Sequence, residues 1–382
     1  MEEIIDQVQR LAHTADDAAR KKMVVALRDL SYSLESSDDT MERIMFYHLQ
    51  IAAVRVGIDL KLFDRLAASS TPLTVDQLSE ATGAHPTLLG RLLRYFSSLG
   101  TVTETGKDTF GANNVTRTLG DANNQAGVHH YFDFVGPIFQ ELPAFLRKTG
   151  FQDITDNTKT VFQDAWKTDE IVFQFFPKLP EQFNYFNQHM AARRHGMPTW
   201  LSVYPVEKQA QGWSPEAGPI FVDIGGGIGH QCAEFKAKYP NLPGSVVLQD
   251  LPHCIDHALP TPGVQNMVYD IFKPQPIKGA KFYYMRCVLH DFPDDKCQLI
   301  LKNIIDVLAP DSLILIDDMV LPNTGVYWQT TQMDLTMMAG LAARERTHEQ
   351  WTALLDSVGL KIVDIHVYTP LVHESVITCV PK

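Results

Sequence analysis

The sequence predicts an α/β fold, a doubly wound sheet that follows a mostly helical region. From residue 219 onward, short apolar segments of strand type alternate with helical segments, which is typical of a sheet built from parallel strands. Over residues 1–110, apolar residues instead recur at helical spacing, most clearly over 44–66. The segment 208–219 is polar and rich in Gly and Pro, so we expect a linker there.

Composition limits the functions that are compatible with this fold. The chain has 382 residues, 45% hydrophobic and 20% charged, with a formal net charge of −12. This charge argues against a nucleic-acid partner, because such binding depends on Lys and Arg neutralising phosphates. The five cysteines form no CxxC pair and no zinc-type cluster. We find neither a signal peptide nor an apolar run long enough for a membrane span, so we expect a cytoplasmic protein without a metal.

The helical region contains a winged-helix pattern. Thr74 is a candidate N-cap of a helix through about residue 81, and Pro86 suits the first position of the next helix. Two short strands are expected around residues 105–107. Because the second helix carries only Arg91 and Arg94 as cations, a packing or dimerisation module is expected, with a winged-helix regulator as the remote alternative.

Residues 115–205 are predicted to be all helical and are rich in aromatic side chains, which leaves ordinary core packing or a shared aromatic cavity open. The predicted strands of the sheet then follow at 219–224, 244–250, 266–270, 280–286, 311–320, 360–368 and 374–381. A short loop joins the last two strands, so one of them is expected to be antiparallel.

The stretch FVDIGGGIGHQ, residues 221–231, predicts a ligand site after the first strand. It departs from the dinucleotide pattern GxGxxG, because position 230 is His, and it is not a P-loop. Gly225 and Gly227 allow close backbone approach, and Asp250 at the end of the next strand suits two ribose hydroxyls. With Asp223 placed for an ammonium group, the ligand expected is S-adenosylmethionine.

The motifs FVDIGGGIGH, LQDLP, YDIF, YYMRCVLHDFPDDKC, LIDDMVLP and ARERTHEQW occur in one order along the chain. In these motifs the sequence resembles the S-adenosylmethionine-dependent small-molecule O-methyltransferases of plant and fungal secondary metabolism, the caffeate-type family. The resemblance covers nearly the whole chain. It implies a winged-helix-like dimerisation domain over 1–115, a helical substrate region over 116–207 and a Rossmann-like catalytic domain over 208–382. It also implies a homodimer formed through the N-terminal helices.

The resemblance assigns roles to individual residues. His290 matches the general base that takes the proton of the acceptor hydroxyl, and Asp318 and Glu345 match the two acids beside it. Asp318 stands where many relatives have Glu. The implied cofactor contacts are Asp223, Gly225, Gly227, Asp250, Leu251, Asp270, Ile271, Phe272 and Arg286. The implied substrate contacts are His129, His130, Phe134, Phe186, Met190, Asp291, Met333 and Met337.

Two enzymatic interpretations remain open at this point. The first is methyl transfer to a hydroxyl of an aromatic or polyketide-like metabolite, which the presence of His290 favours. The second is pericyclic or dehydration chemistry on the same fold, with S-adenosylmethionine bound but not consumed. The pair His129–His130 in an otherwise apolar segment keeps this second interpretation open.

Overall fold

The computed structural model describes residues 2–192 and 198–382, and the chain divides into two compact units. The described residues of the first, helical unit are 2–137 and 176–192. Those of the second, sheet unit are 138–175 and 198–382. The predicted boundaries near residues 115 and 207 remain a prediction.

The chain begins with helices and a small sheet. Its elements are α1 (Glu2–Thr14), α2 (Asp17–Ser33), α3 (Ser37–Met45), α4 (Tyr47–Asp59), α5 (Leu62–Ala68), β1 (Leu73–Thr74), α6 (Val75–Thr82), α7 (Pro86–Ser98), β2 (Thr103–Gly106), β3 (Thr109–Gly111), α8 (Asn114–Leu119) and α9 (Ala122–His129). The Thr74 hydroxyl accepts a hydrogen bond from the Gln77 amide, and Pro86 opens α7, as predicted. The antiparallel order β1-β3-β2 completes the winged helix.

The apolar segment 44–66 is not one helix. Lys61 adopts a left-handed backbone conformation with φ of 50°, which ends α4 and begins α5 in a new direction. The turn allows Leu62 and Phe63 to be fully buried with Leu93 and Phe96 in the core of the winged helix. Helical periodicity predicted the helices here but not the break between them.

A π-helix, His130–Val135, joins α9 to α10 (Gly136–Lys148). The chain continues with α11 (Val161–Trp166), α12 (Val172–Phe175), a 3₁₀ turn (Phe176–Lys178) and α13 (Pro180–Ala192). The expectation that 115–205 is all helical is wrong over 151–160, which forms no regular element. Gly150 and Phe151, just after α10, both have positive φ, through which a helix cannot continue. That prediction also covered 193–197, which lie outside the described residues.

The sheet unit continues with 3₁₀ turns and alternating strands and helices. Its elements are a 3₁₀ turn (Trp200–Ser202), α14 (Val206–Gln209), a 3₁₀ turn (Pro215–Ala217), β4 (Phe221–Ile224), α15 (His230–Lys238), β5 (Val246–Asp250), α16 (Pro252–Ile255), β6 (Val264–Val268), β7 (Phe282–Arg286), a 3₁₀ turn (Leu289–Asp291), α17 (Asp294–Ile305), β8 (Leu313–Leu321), α18 (Trp328–Leu341), β9 (Arg346–Thr347), α19 (His348–Asp356), β10 (Leu360–Thr369) and β11 (Glu374–Pro381).

The main sheet has the strand order β10-β11-β8-β7-β4-β5-β6, and β9 pairs with β8 beside this path. The pairs from β8 to β6 are parallel, whereas β11 is antiparallel to both of its neighbours. Each of the seven strands predicted after residue 218 is present, and the antiparallel strand among the last two is confirmed. The parallel strands place their carboxyl ends at one edge of the sheet.

Both faces of the sheet are buried. Adjacent residues of β4 enter opposite cores, with Phe221 packed beside Trp200 and Phe235, and Val222 on the side of Trp351. The linker expected over 208–219 needs a correction, because Trp213 is 7% exposed and belongs to one of these cores. Among the described residues, no helix is both long and apolar enough to cross a membrane.

Candidate functional site

The glycine-rich loop lies at the carboxyl end of β4. Gly225 and Gly227 have φ of 68° and 60°, a conformation that favours glycine. At Gly226 a Cβ atom would lie 2.5 Å from the Asp223 Cγ, so that glycine packs against the protein itself. At Gly227 a Cβ atom would meet no described atom within 4 Å. The loop therefore presents bare backbone on the side of Gly227.

Two carboxylates follow at the carboxyl ends of the next strands in the sheet, Asp250 at the end of β5 and Asp270 just after β6. Asp250 accepts hydrogen bonds from the Gly227 amide at 2.7 Å and from the Leu251 amide at 2.6 Å. Asp270, two residues after β6, accepts one from the Phe272 amide at 3.0 Å. Backbone donors thus hold both carboxylates in place. Acids held in this way at the carboxyl ends of neighbouring parallel strands suit the hydroxyl and amino groups of an adenosyl ligand.

Asp223 differs from these two acids because it is fully buried below the loop. Burial raises the pKa of its carboxyl to about 7, and the Cys232 thiol donates a hydrogen bond to it at 3.6 Å. Arg286 ends β7, and its Nε lies 3.5 Å from the buried carboxylate of Asp317. Leu251 is 37% exposed, whereas Ile271 and Phe272 are partly buried beside the core.

His290 lies in the 3₁₀ turn that follows β7. Its Nδ1 is 2.8 Å from Glu345 Oε1, and its Nε2 is 3.4 Å from Asp291 Oδ1. Asp318, on β8, has an oxygen within 4.8 Å of a ring nitrogen of His290. Glu345 and Asp318 are each 3% exposed. The fold therefore brings together the three residues assigned to proton transfer from the sequence.

The electrostatics of this cluster follow from burial and from neighbouring charge. Burial by itself lowers the pKa of His290, but the charges of Glu345 and Asp291 outweigh it and raise the pKa well above 6.5. Burial and the charge of Glu345 raise the pKa of Asp318 to about 8. Burial likewise raises the pKa of Asp291 to about 6. Because these groups lie close together and are buried, their titrations are coupled.

Arg346, to which the sequence assigned no role, fixes the turn that carries His290. It is 1% exposed and donates to the carbonyl oxygens of Leu289 at 2.9 Å and Phe292 at 3.1 Å. Its guanidinium also bonds Asp294 at 2.7 Å and lies over the Trp351 ring. The sequence offered one signal for this role, which is the position of Arg346 in the motif ARERTHEQW. Glu345 thus holds the imidazole of His290, and its neighbour Arg346 holds the backbone of the same turn.

The remaining predicted contacts of the sheet unit are on α18 and in the turn. Met333 is 8% exposed and Met337 is partly buried, and α18 contacts the turn that contains Asp291. Asp334, also on α18, accepts a hydrogen bond from the Glu345 amide at 2.9 Å. This second positioning contact was missed because it joins residues on separate elements.

In the helical unit, His130 lies inside an aromatic cluster. It is 7% exposed, and its ring centroid is 5.2 Å from that of Phe186 and 5.8 Å from those of Phe134 and Phe176. Among the described residues its Nδ1 has no hydrogen-bond partner. Burial, aided by the charge of His189, lowers its pKa to about 4. A neutral imidazole thus stands in an apolar surrounding.

The other two predicted contacts of the helical unit differ from His130. His129 stacks on Tyr185 at 4.1 Å, and its Nδ1 is 3.1 Å from Asp133, which Arg55 also contacts. The neighbouring histidines thus differ in their surroundings: His129 contacts the Asp133 carboxylate, whereas His130 lies in an apolar cluster. Met190 is 37% exposed on α13.

Comparison with known proteins gives consistent results. A family model described as the O-methyltransferase dimerisation domain matches residues 42–120, and one described as the O-methyltransferase domain matches 215–361. The O-methyltransferase ucdC of Aspergillus ustus is 44% identical, with 96% of this chain and 95% of that protein covered. The demethylsterigmatocystin 6-O-methyltransferase of Aspergillus parasiticus is 38% identical, with 100% and 98% covered.

Solved structures show the same similarity. LepI in complex with SAM is 37% identical, with a TM-score of 0.94 over 100% of this chain and 98% of LepI. A structure described as a pericyclic reaction enzyme has the same identity and TM-score, over 100% of this chain and 99% of the other.

Proposed function

Because the chain belongs to the O-methyltransferase family of fungal secondary metabolism, whose cofactor is S-adenosylmethionine, we propose that it methylates a hydroxyl group of an aromatic or polyketide-like metabolite. The acceptor class is supported by the relative that acts on demethylsterigmatocystin. The observation that carries the proposal is the hydrogen bond between His290 and the buried Glu345.

His290 acts as the general base in this proposal. Its Nδ1–H donates to Glu345, which leaves Nε2 to accept the proton of the acceptor hydroxyl. The carboxylate charge of Glu345 stabilises the imidazolium that results. When bound, S-adenosylmethionine supplies an electrophilic methyl group on a positively charged sulfur. Arg346 keeps the turn, and so the imidazole, in one position, which favours a geometry ready for reaction.

The cofactor is held in this proposal by the loop and the acids at the carboxyl ends of the parallel strands. Gly225 and Gly227 would give the cofactor access to backbone, and Asp250 would accept hydrogen bonds from its ribose hydroxyls. The other contacts proposed are Asp223, Leu251, Asp270, Ile271, Phe272 and Arg286. The substrate contacts proposed are Asp291, Met333 and Met337 in the sheet unit, and His129, His130, Phe134, Phe186 and Met190 in the helical unit.

The active form in this proposal is a homodimer built through the N-terminal helices. The match to the dimerisation domain supports a dimer. Leu11, Leu30 and Leu34 are 62%, 55% and 76% exposed in the single chain, and a second copy would cover such side chains. A cytoplasmic location remains part of the proposal.

A mass-spectrometric assay tests the proposed reaction. The protein is incubated with S-adenosylmethionine and a panel of phenolic and polyketide-like acceptors, and product and S-adenosylhomocysteine are quantified together. We expect a methylated product matched one to one by S-adenosylhomocysteine. His290→Ala should slow turnover by about 10²–10⁴-fold. His348→Ala, which removes an exposed histidine, serves as the control and should leave turnover unchanged.

Pericyclic chemistry is the second candidate, and the buried His130 favours it. An imidazole whose Nδ1 has no partner among the described residues, set among aromatic rings, is suited to hold a polar group of an otherwise apolar substrate. The same assay separates the two reactions. Turnover with S-adenosylmethionine unconsumed, and with product mass unchanged or lower by one water, would contradict methyl transfer. His130→Ala should then reduce turnover more than His290→Ala.

A further inference from the structure

Three side chains of different chemistry meet at the carboxyl ends of β7 and β8. These strands pair in parallel with Arg286 opposite Asp317, so the next residues, Cys287 and Asp318, become neighbours. His290 follows in the turn. The Cys287 sulfur, one His290 nitrogen and one Asp318 oxygen all lie within 4.8 Å of one another. Thiolate, imidazole and carboxylate are the ligand types that zinc takes in proteins.

Asp318 provides an independent indication of a ligand. It is 3% exposed, and neither of its carboxylate oxygens has a hydrogen-bond partner among the described residues. Burying a carboxylate without a donor or a cation is costly, and such a group points to a ligand that satisfies it. A cation between Asp318, Cys287 and His290 would satisfy both the charge and the lone pairs.

The orientation of His290 also suits a metal ligand. Its Nδ1 is engaged with Glu345 at 2.8 Å, so the ring presents Nε2. A carboxylate bonded to the second nitrogen is the usual support of a metal-bound histidine, because it fixes the tautomer and raises the basicity of the ligating nitrogen. Cys287 itself adopts φ of 51°, a conformation that non-glycine residues rarely take.

We propose that Cys287, His290 and Asp318 form a binding site for a soft divalent cation such as Zn²⁺, with a fourth position left for water or a substrate oxygen. Ligand atoms of a tetrahedral zinc ion are roughly 3.5 Å apart, given bond lengths of about 2.0–2.3 Å. Side-chain rotations that bring the three atoms from within 4.8 Å of one another to this spacing are part of the proposal. A thiolate favours Zn²⁺ over Mg²⁺ or Ca²⁺. Binding releases the protons held by the ligating groups to the solvent.

Occupation of this site has a consequence for turnover, which rests on the proposed function. A cation on Nε2 of His290 occupies the lone pair that would take the hydroxyl proton. Zn²⁺ is therefore an inhibitor that acts at the base, and a chelator restores activity.

Co²⁺ titration of the full chain tests the site without reference to catalysis. We expect a near-ultraviolet thiolate-to-metal charge-transfer band and the intense visible bands of a four-coordinate ion, both displaced by Zn²⁺. Cys287→Ser should abolish the charge-transfer band. Asp318→Asn, which keeps the shape of the side chain, should weaken Co²⁺ binding by about tenfold or more. Cys254→Ser removes another partly buried cysteine and should leave both bands intact.

Two spectroscopic outcomes would overturn the site. One is the absence of a charge-transfer band in the wild-type chain at millimolar Co²⁺. The other is a band that survives in Cys287→Ser or disappears in Cys254→Ser. Far-ultraviolet circular dichroism of each variant verifies that the chain is folded. If Cys287→Ser does not fold, Co²⁺ binding by Asp318→Asn tests the site, and unchanged affinity would overturn it.

Inhibition is measured separately. In the methyl-transfer assay, Cys287→Ser should lose at least tenfold in sensitivity to Zn²⁺, whatever its own rate. If no methyl transfer is detected but the cobalt bands depend on Cys287 and Asp318, the proposed function fails and the metal site stands. If methyl transfer proceeds and the cobalt bands are absent, the metal site fails and the proposed function stands.

Discussion

The N-terminal helices and the sheet unit differ in where they keep their apolar and charged side chains. The helices α1, α2 and α3 contain no buried residue, and they expose Ile4, Leu11 and Leu30 together with their ion pairs. The sheet unit buries both apolar and charged side chains, and its buried charged residues include Asp318 and Arg346. The sheet unit has its own core within a single chain, whereas the N-terminal helices expose apolar side chains that a second copy would cover. Substitutions in the sheet unit should therefore change the free energy of unfolding, whereas substitutions in the N-terminal helices should change the dimer dissociation constant.

The largest effect is expected in the core of the sheet unit. Trp351→Ala should lower the free energy of unfolding by about 3–5 kcal/mol, because it empties a fully buried site. It also removes the donor to the Met319 carbonyl oxygen. Equilibrium urea denaturation measures this, and the loss should not depend on protein concentration. Trp328→Ala, at a 39% exposed site, is the control and should cost about 1 kcal/mol or less.

A substitution in the N-terminal helices should instead affect association of the two copies. Leu30→Ala should weaken the dimer by about 1.5–3 kcal/mol, or roughly 10- to 100-fold in dissociation constant, if a second copy covers this leucine. Sedimentation velocity over a dilution series measures it. Val363→Ala, at a 51% exposed site on β10, should leave the constant unchanged. A wild-type chain that is monomeric at all concentrations would contradict the contrast between the two regions.

A buried charge should be visible in the pH dependence of turnover. Only neutral His290 accepts a proton, and Glu345 raises its pKa, so the rate should rise with pH through a value above 6.5. Glu345→Gln removes the charge that raises this pKa, so the acidic limb should move to lower pH. The maximal rate should also fall by about 10- to 100-fold with the loss of a charged hydrogen bond. A pH–rate profile for both enzymes measures this, and an unmoved limb would show that Glu345 does not tune His290.

The smallest effect is expected at an exposed ion pair. Asp17 contacts Arg20 at 2.6 Å and Lys21 at 2.8 Å on α2, and its side chain is 56% exposed. Asp17→Ala should change the free energy of unfolding by only about 0.2–1 kcal/mol, and added salt should abolish the difference. Denaturation at low and high salt tests this. A larger loss that salt does not remove would mean that this part of α2 is covered in the assembly.

Local signals were sufficient for much of the fold. Thr74 and Pro86 act through the residues next to them, so capping rules located α6 and α7. The sheet strands could be predicted because each is a short apolar run between turn residues. Lys61 could not be predicted to turn, since its left-handed conformation serves the packing of Phe63 rather than a local preference. Trp213 is similar, because its burial depends on strands distant in sequence.

The candidate site divides in the same way. The order of motifs identified His290, Asp318 and Glu345, which the fold brings together. Arg346 and Cys287 gained a role only from the structure. Their contacts depend on the parallel register of neighbouring strands and on pairs such as Arg346 with Leu289, which are 57 positions apart. A single sequence records the residue types of such pairs but not their proximity.

Arg346 holds the turn through carbonyl oxygens at positions 289 and 292, atoms that every amino acid has. Neither of these hydrogen bonds involves the side chain at position 290. The backbone contacts that hold the turn therefore do not depend on which side chain stands at position 290. Such an arrangement makes the scaffold evolvable, since new chemistry there requires no new fold.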